Sequence, residues 1–283
     1  MFHRLAGYSR FVKMEHTLFS LPLLFSGAFL AGGRLPSWRL SGLIVLAGFG
    51  ARTAAFAFNR VIDRHTDRLN PRTAGRELPS GRMTLGEAWG VGFAGAAVYV
   101  WAAARIAPIC LYLSPVPLAI FLSYPYLKRL SVLAHFGVGA ADALAPLGGW
   151  LAVRQSFTDV GPVLWLGAFT FFWVSGFDVI YATMDEAFDR GQGLYSIPAR
   201  FGKEKALRIS ALLHVLAFGC LVALYGSAFH PSPVSLSTLL VLGGLLFLEH
   251  RLSDDVDLAF FKINAVLSFG ILGFVATGVG GFV

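Results

Sequence analysis

Apolar and charged residues are segregated along this chain. Long apolar runs alternate with short stretches that hold nearly all of its Lys, Arg, Asp and Glu. A helix that crosses a bilayer needs about 20 mostly apolar residues. Nine runs meet or approach that length: 17–33, 40–58, 87–104, 106–127, 132–153, 160–181, 206–227, 234–248 and 258–283. The first and eighth are short, and a basic amphipathic stretch at 200–208 leads into the seventh. The pattern predicts an all-α integral membrane protein of nine transmembrane helices, read as a single domain over 1–283. Basic residues precede the first run, as in a signal peptide. No small-residue cleavage site follows Leu30, so that run is read as a retained helix.

Composition agrees with the pattern. Hydrophobic residues make up 56% of the 283 positions and charged residues 14%, against about 25% in a soluble protein. The net charge of +7 could indicate nucleic-acid binding, but its distribution reads as topology. Of the 23 Lys and Arg residues, Arg52 lies inside a run, while Arg34, Arg39, Arg105 and Arg154 fall on one side of the alternating loops. All the others fall on the opposite side. The positive-inside rule makes that side cytoplasmic, with the N-terminus inside and the C-terminus outside, as an odd number of spans requires. The expected location is a bacterial inner (cytoplasmic) membrane. Cys110 and Cys220 sit in apolar runs and imply no disulfide framework.

The acids change the picture most. Asn59, Asp63 and Asp67 stand at intervals of four, so on a helix they share a narrow arc. Carboxylates stacked on adjacent turns repel by a few tenths of a kcal/mol, and a helix gains nothing from them unless a cation sits between. Pro71 should stop that helix. The plain alternative is a solvated loop whose acids pair with Arg60, Arg64 and Arg68. Asp178, Tyr181, Asp185 and Asp189 form a second group at the end of the sixth run, within an arc of roughly 80° and with no cation between them along the helix. Both groups belong to the cytoplasmic side.

Two acid groups that face each other could hold Mg²⁺, which prefers oxygen ligands and is usually held by one or two carboxylates with substrate phosphates and water. The metal would stabilise charge developing on a leaving diphosphate. Arg64, Arg68, Arg72, Arg76, Lys128 and Arg129 could add to the clamp, with Arg matching phosphate oxygens bidentately. A substrate with a diphosphate head and a long apolar tail would fit, and an isoprenyl diphosphate is one.

The segment NRVIDRHTD resembles the N-x-x-x-D-x-x-x-D signature of the UbiA superfamily of membrane prenyltransferases, and DVIYATMDEAFD resembles its second signature, D-x-x-Y-x-x-x-D-x-x-x-D. RTAGRELPSGRM, YPYLKR and SIPARFG also match, in order. The resemblance implies a nine-helix bundle around a central cavity and Mg²⁺-dependent transfer of a polyprenyl group from a polyprenyl diphosphate to an aromatic ring in quinone biosynthesis. By the same resemblance, Asn59, Asp63 and Asp67 would bind one part of the metal–diphosphate, and Asp178, Asp185 and Asp189 the other. Tyr181 would steady positive charge near the allylic carbon, and Lys128 and Arg129 would hold the diphosphate or cap the site. Asp63, Asp67, Asp178 and Asp185 are the implied metal ligands. Members acting on 4-hydroxybenzoate for ubiquinone typically carry Pro-Ile-Gly and Trp-Pro in the first helix, and this chain lacks both. Its E-H-T-L-F-x-L-P start is similar to a sister branch that includes enzymes of the futalosine route to menaquinone. An aromatic carboxylic acid, 4-hydroxybenzoate or 1,4-dihydroxy-6-naphthoate, suits either branch.

Other polar residues lie in the runs. Arg52 is seven residues before Asn59 on the same face and could bind the acceptor or the diphosphate, or sit in a buried ion pair. Asp142 is read as structural, with Arg52 as one partner. Glu15 and His16 could touch the acceptor or anchor the first helix, and no pair of histidines has metal-ligand spacing. Asn264 matches a recurrent family position. Two other function classes were weighed. A CDP-alcohol phosphotransferase needs a D-G-x-x-A-R string that is absent. A transporter places its site near the bilayer midplane, whereas both acid groups here belong to one face.

Overall fold

The computed structural model describes residues 7–8, 10–13, 17–253 and 262–279. Every regular element among them is helical. In chain order these are α1 (Thr17–Gly32), α2 (Trp38–Ile62), α3 (Arg64–Leu69), α4 (Leu85–Ile106), α5 (Pro108–Leu113), α6 (Pro115–Leu130), α7 (Ala134–Arg154), α8 (Gly161–Ala182), α9 (Glu186–Gly191), α10 (Ile197–Phe201), α11 (Lys203–Ala228), α12 (Pro233–Arg251) and α13 (Asn264–Val279).

Among the described residues, seven helical stretches are long and apolar enough to cross a membrane: α2, α4, α5 with α6, α7, α8 through α9, α11 and α12. The helices α1 and α13, each of 16 residues, are apolar but shorter, about 24 Å of helix against a hydrocarbon core of about 30 Å. Glu15, His16 and the start of the run expected at 258–283 lie outside the described residues.

The expected boundaries hold to a few residues, with one break. The run 106–127 is divided at Ser114, because Pro115 and Pro117 offer no amide to continue the hydrogen-bond ladder. Ser114 closes the gap by donating from its hydroxyl to the Leu111 carbonyl (2.8 Å). Local chemistry fixes the other starts. Thr84 and Glu87 form a reciprocal capping box at α4, and a proline stands in the first turn of α8, α10 and α12. The basic stretch expected at 200–208 is split by Gly202, whose φ of +82° ends α10 and opens α11.

Glycine lets the bundle close. A side chain on Gly50 of α2 would meet the Tyr99 amide nitrogen at 2.6 Å, and one on Gly95 of α4 would meet that of Ala54 at 2.8 Å. Backbones this near each other give α2 and α4 extensive van der Waals contact, the usual source of helix affinity in lipid. Around them, α6 lies beside α2 and α7, α7 beside α1 and α8, α11 beside α8, and α13 beside α1 and α12. The largest buried cluster joins Trp150, Phe169, Trp173, Leu221, Leu242 and Phe274. The first half of the chain has smaller clusters, one around Phe58 and Phe121 and one around Phe11 and Val61.

Candidate active site

A cavity of about 640 Å³ runs down the middle of the bundle. Its walls are mostly apolar and include Leu23, Ile44, Phe121, Leu144, Val174 and Phe177. Asn59, Arg60, Arg76, Asp178 and Tyr181 line one end, and Phe157 and Leu164 line the other.

Two helix ends build the polar mouth. The α2 ladder runs on past Ile62: the Asp63 amide donates to the Asn59 carbonyl (2.9 Å), and the Asp67 amide donates to the Asp63 carbonyl (2.8 Å). Asp63 itself leaves helical geometry, at φ −89° and ψ 2°, and kinks the chain into α3. Asn70 takes extended backbone before Pro71 and ends α3, as the proline predicts. On the other side, α8 tightens at Thr183–Asp185 into a 3₁₀ turn before α9. That turn advances about 120° per residue, so Asp185 and Asp189 rotate away from the stripe that an unbroken helix would give.

The expectation that no cation lies between the carboxylates of the second group holds along the helix but not in space. Lys128 Nζ is 2.6 Å from Asp63 Oδ2, and Arg129 Nη2 is 3.4 Å from Asp63 Oδ1. Arg76 Nη1 donates to both oxygens of Asp67 at 2.9 Å. Arg72 clasps Asp185: its Nε donates to Oδ1 (2.9 Å), its Nη2 to Oδ2, and its Nη1 to the Tyr181 hydroxyl (2.8 Å). Asn70 Nδ2 donates to the same Asp185 Oδ1 (2.8 Å). Asp178 turns toward α7 and meets His135 Nδ1 at 2.7 Å. The loop after Asp67 therefore ties the two acid groups together at one end of the bundle.

The surroundings of the two groups differ. Asp63 and Asp67 are buried, at 5% and 6% exposure, whereas Asp178, Asp185 and Asp189 are half-buried. Burial pushes the Asp63 carboxyl above its ordinary range, against the opposing pull of Lys128 and Arg129. Burial alone would lower Arg72, but its bonds to Asp185 and Tyr181 outweigh that and hold its proton more firmly than usual.

Among the remaining expected site residues, Asn59 donates weakly to Asp63 Oδ2 (3.4 Å). Arg52 Nη1 donates to Asp142 Oδ1 (2.7 Å), so the ion pair read as one option from sequence is present. Both residues line the cavity. Arg64 turns back to the Val61 carbonyl (3.0 Å) and Arg68 lies exposed, so neither borders the cavity. The solvated-loop alternative fails as stated, because the acids pair with Lys128, Arg129, Arg72 and Arg76 and not with Arg60, Arg64 or Arg68. Sequence reasoning did not assign roles to His135, Asn70 or Arg60. His135 carries no metal-ligand spacing, Asn70 is only the residue before Pro71, and Arg60, expected to pair with the acids in a solvated loop, is a buried cavity residue whose Nη1 lacks a hydrogen-bond partner among the described residues. Asn264 accepts from Trp173 Nε1 (3.0 Å), and both face the cavity.

Apolar helices around an acid-mouthed cavity define an integral membrane protein with an internal site. The model of the UbiA prenyltransferase family matches residues 20–274. The chain belongs to that family and is a prenyltransferase, which sets aside the phosphotransferase and transporter readings. It is 29% identical over 253 residues, 87% of its own length and 84% of the relative's, to a 4-hydroxybenzoate octaprenyltransferase of Yersinia pseudotuberculosis. The fold superposes on a UbiA homolog from Aeropyrum pernix with a TM-score of 0.83 and 35% identity, covering 91% of this chain and 95% of that one. It shares its fold, at a TM-score of 0.73 and 20% identity over 95% of this chain and 99% of the other, with an Archaeoglobus fulgidus homolog bound to GPP and Mg²⁺.

Proposed function

We propose that the protein transfers a polyprenyl group from a polyprenyl diphosphate to an aromatic carboxylic acid, with Mg²⁺ as cofactor. Nine spans would place the acid mouth at the cytoplasmic face. The observation that carries this reading is the meeting of Asp63, Asp67, Asp178 and Asp185 at one cavity mouth, with Asp63, Asp67 and Asp185 each paired with a cation and Asp178 with His135. The donor set fits a hard divalent metal. It offers carboxylate oxygens, and among the described residues no three His, Cys, Asp or Glu side chains converge tightly enough to complete a metal site by themselves. Phosphate oxygens and water would therefore have to supply the remaining ligands. Bound there, Mg²⁺ would neutralise charge on the departing diphosphate.

The chain's own residues do the rest. On substrate entry, Arg72, Arg76, Lys128 and Arg129 would exchange their carboxylate partners for phosphate oxygens, leaving Asp185, Asp67 and Asp63 as the residues that would hold the metal. Asp189 and Asn59 flank these positions. The Tyr181 ring, with the Arg72 guanidinium 5.0 Å from its centroid, faces the cavity and steadies the allylic carbon as its C–O bond lengthens. The apolar walls take the tail and exclude water from the cation. Deeper in, Arg52 holds the acceptor carboxylate. Its Nε has no hydrogen-bond partner, and Asp142 fixes the guanidinium from the other side.

The curated relative's name favours 4-hydroxybenzoate as acceptor, and the first-helix sequence favours a dihydroxynaphthoate. Membranes containing the protein should be given a prenyl diphosphate with Mg²⁺ and each acid in turn. A prenylated acid at the expected mass is the predicted product. Turnover of neither acid, with the protein inserted and folded, would refute the aromatic-acid reading.

A further inference from the structure

At the end of the bundle opposite the acid mouth, α2 and α4 frame a second, smaller hollow of about 290 Å³. It is lined by Trp38, Arg39, Leu43 and Leu46 of α2 and by Trp101 and Arg105 of α4, with Gly42 as its floor. Residues 39, 42, 43 and 46 recur at intervals of three and four and so form one stripe of α2; 101 and 105 do the same on α4. The Gly50–Gly95 contact sets the register of the two antiparallel helices. Arg39 lies 11 residues before Gly50 and Arg105 lies 10 after Gly95, about 16 Å and about 15 Å along the two axes, so the two residues stand near one level.

Among the described residues, neither Arg39 nor Arg105 has an ion-pair or hydrogen-bond partner. Cations are scarce at this end, which the loop-charge rule keeps poor in Lys and Arg, yet two of its four line one hollow. Arginine matches phosphate oxygens in a planar fork, exposed tryptophans sit at headgroup depth, and the leucines below continue as an apolar track. A side chain on Gly42 would meet no atom within 4 Å, so the floor is open space and not packed interior.

We propose that this hollow is a binding site for an anionic phospholipid, with its phosphate between Arg39 and Arg105 and an acyl chain lying over Gly42 along Leu43 and Leu46. Charge complementarity selects the headgroup, and the absence of a carboxylate from the lining leaves the two cations for it.

The test is native mass spectrometry of the detergent-solubilised full chain titrated with phosphatidylglycerol or phosphatidylcholine of matched acyl chains. The wild type should retain phosphatidylglycerol preferentially. Arg39→Ala with Arg105→Ala should reduce that retention about 10-fold or more, and Arg34→Ala with Arg154→Ala should not. Gly42→Leu, which fills the floor and keeps both charges, should also weaken retention. Equal retention of both lipids, or unchanged retention in the Arg39/Arg105 double variant, would overturn the proposal. Displacement of the lipid by inorganic phosphate alone would overturn the lipid assignment in favour of a simple anion site.

Discussion

The two acid groups at the cavity mouth carry the same residue type at similar spacing, yet the fold treats them differently. Asp63 and Asp67 are buried at a helix kink and held by Lys128, Arg129 and Arg76. Asp178 and Asp185 are half-buried, and Asp185 is held by Arg72 and Asn70, which belong to the loop leaving the first group. A buried ion pair that loses one partner costs about 3–5 kcal/mol, because the other charge is stranded. A fully exposed pair contributes about 1 kcal/mol or less, and the half-buried Arg72–Asp185 pair lies between these limits. The first group therefore serves the fold as well as the chemistry, and the second exchanges partners at lower cost.

Substitutions in the two groups should therefore have different consequences. The largest effect is expected from Asp178→Asn, which should lower prenyl transfer more than about 100-fold while leaving the melting temperature nearly unchanged, since even outer-shell changes at metal sites cost 10–100-fold. Asp63→Asn should abolish transfer as well, but it should also destabilise the protein by a few kcal/mol, because Lys128 keeps a partly buried charge. Parallel activity and thermal-melting measurements check both, and equal destabilisation by the two variants would erase the proposed difference. Arg72→Ala should raise KM for the prenyl diphosphate about 10-fold, as loss of charge-assisted hydrogen bonds predicts, with little effect on the acceptor's KM. Because burial raises the Asp63 carboxyl, protons should compete with Mg²⁺ at a pH above about 4, where an exposed aspartate titrates. Metal affinity measured by calorimetry should fall as the pH drops, and Asp63→Asn should flatten that profile. Arg68→Ala, an exposed change outside the cavity, should alter turnover less than about twofold.

Much of this architecture was legible in the chain. Runs of apolar residues set the spans, because lipid demands that each backbone group be satisfied within its own helix. The four-residue spacing of Asn59, Asp63 and Asp67 placed them at one helix end, and Pro71 marked where it stops. The stripe drawn through Asp178, Asp185 and Asp189 was only partly right, because a periodicity argument assumes an unbroken α-helix and cannot foresee the 3₁₀ turn at Thr183–Asp185. The clamp cations were legible as phosphate-binding candidates, but the acid that each one pairs with was not, for a different reason. Lys128 and Arg72 reach them across 65 and 113 residues of sequence, contacts fixed only when α6 and the loop after α3 fold over the mouth. His135 was overlooked because a histidine inside an apolar run carries no pattern that distinguishes a partner of Asp178 from a core residue.

The central claim is most directly tested by calorimetric titration of an unreactive thiolodiphosphate analogue of geranyl diphosphate into the purified protein, with and without Mg²⁺. Binding should be saturable, require Mg²⁺ and be lost in both Asp67→Asn and Asp185→Asn, one variant from each helix end. Binding of undiminished affinity in either folded variant, or in excess EDTA, would contradict it.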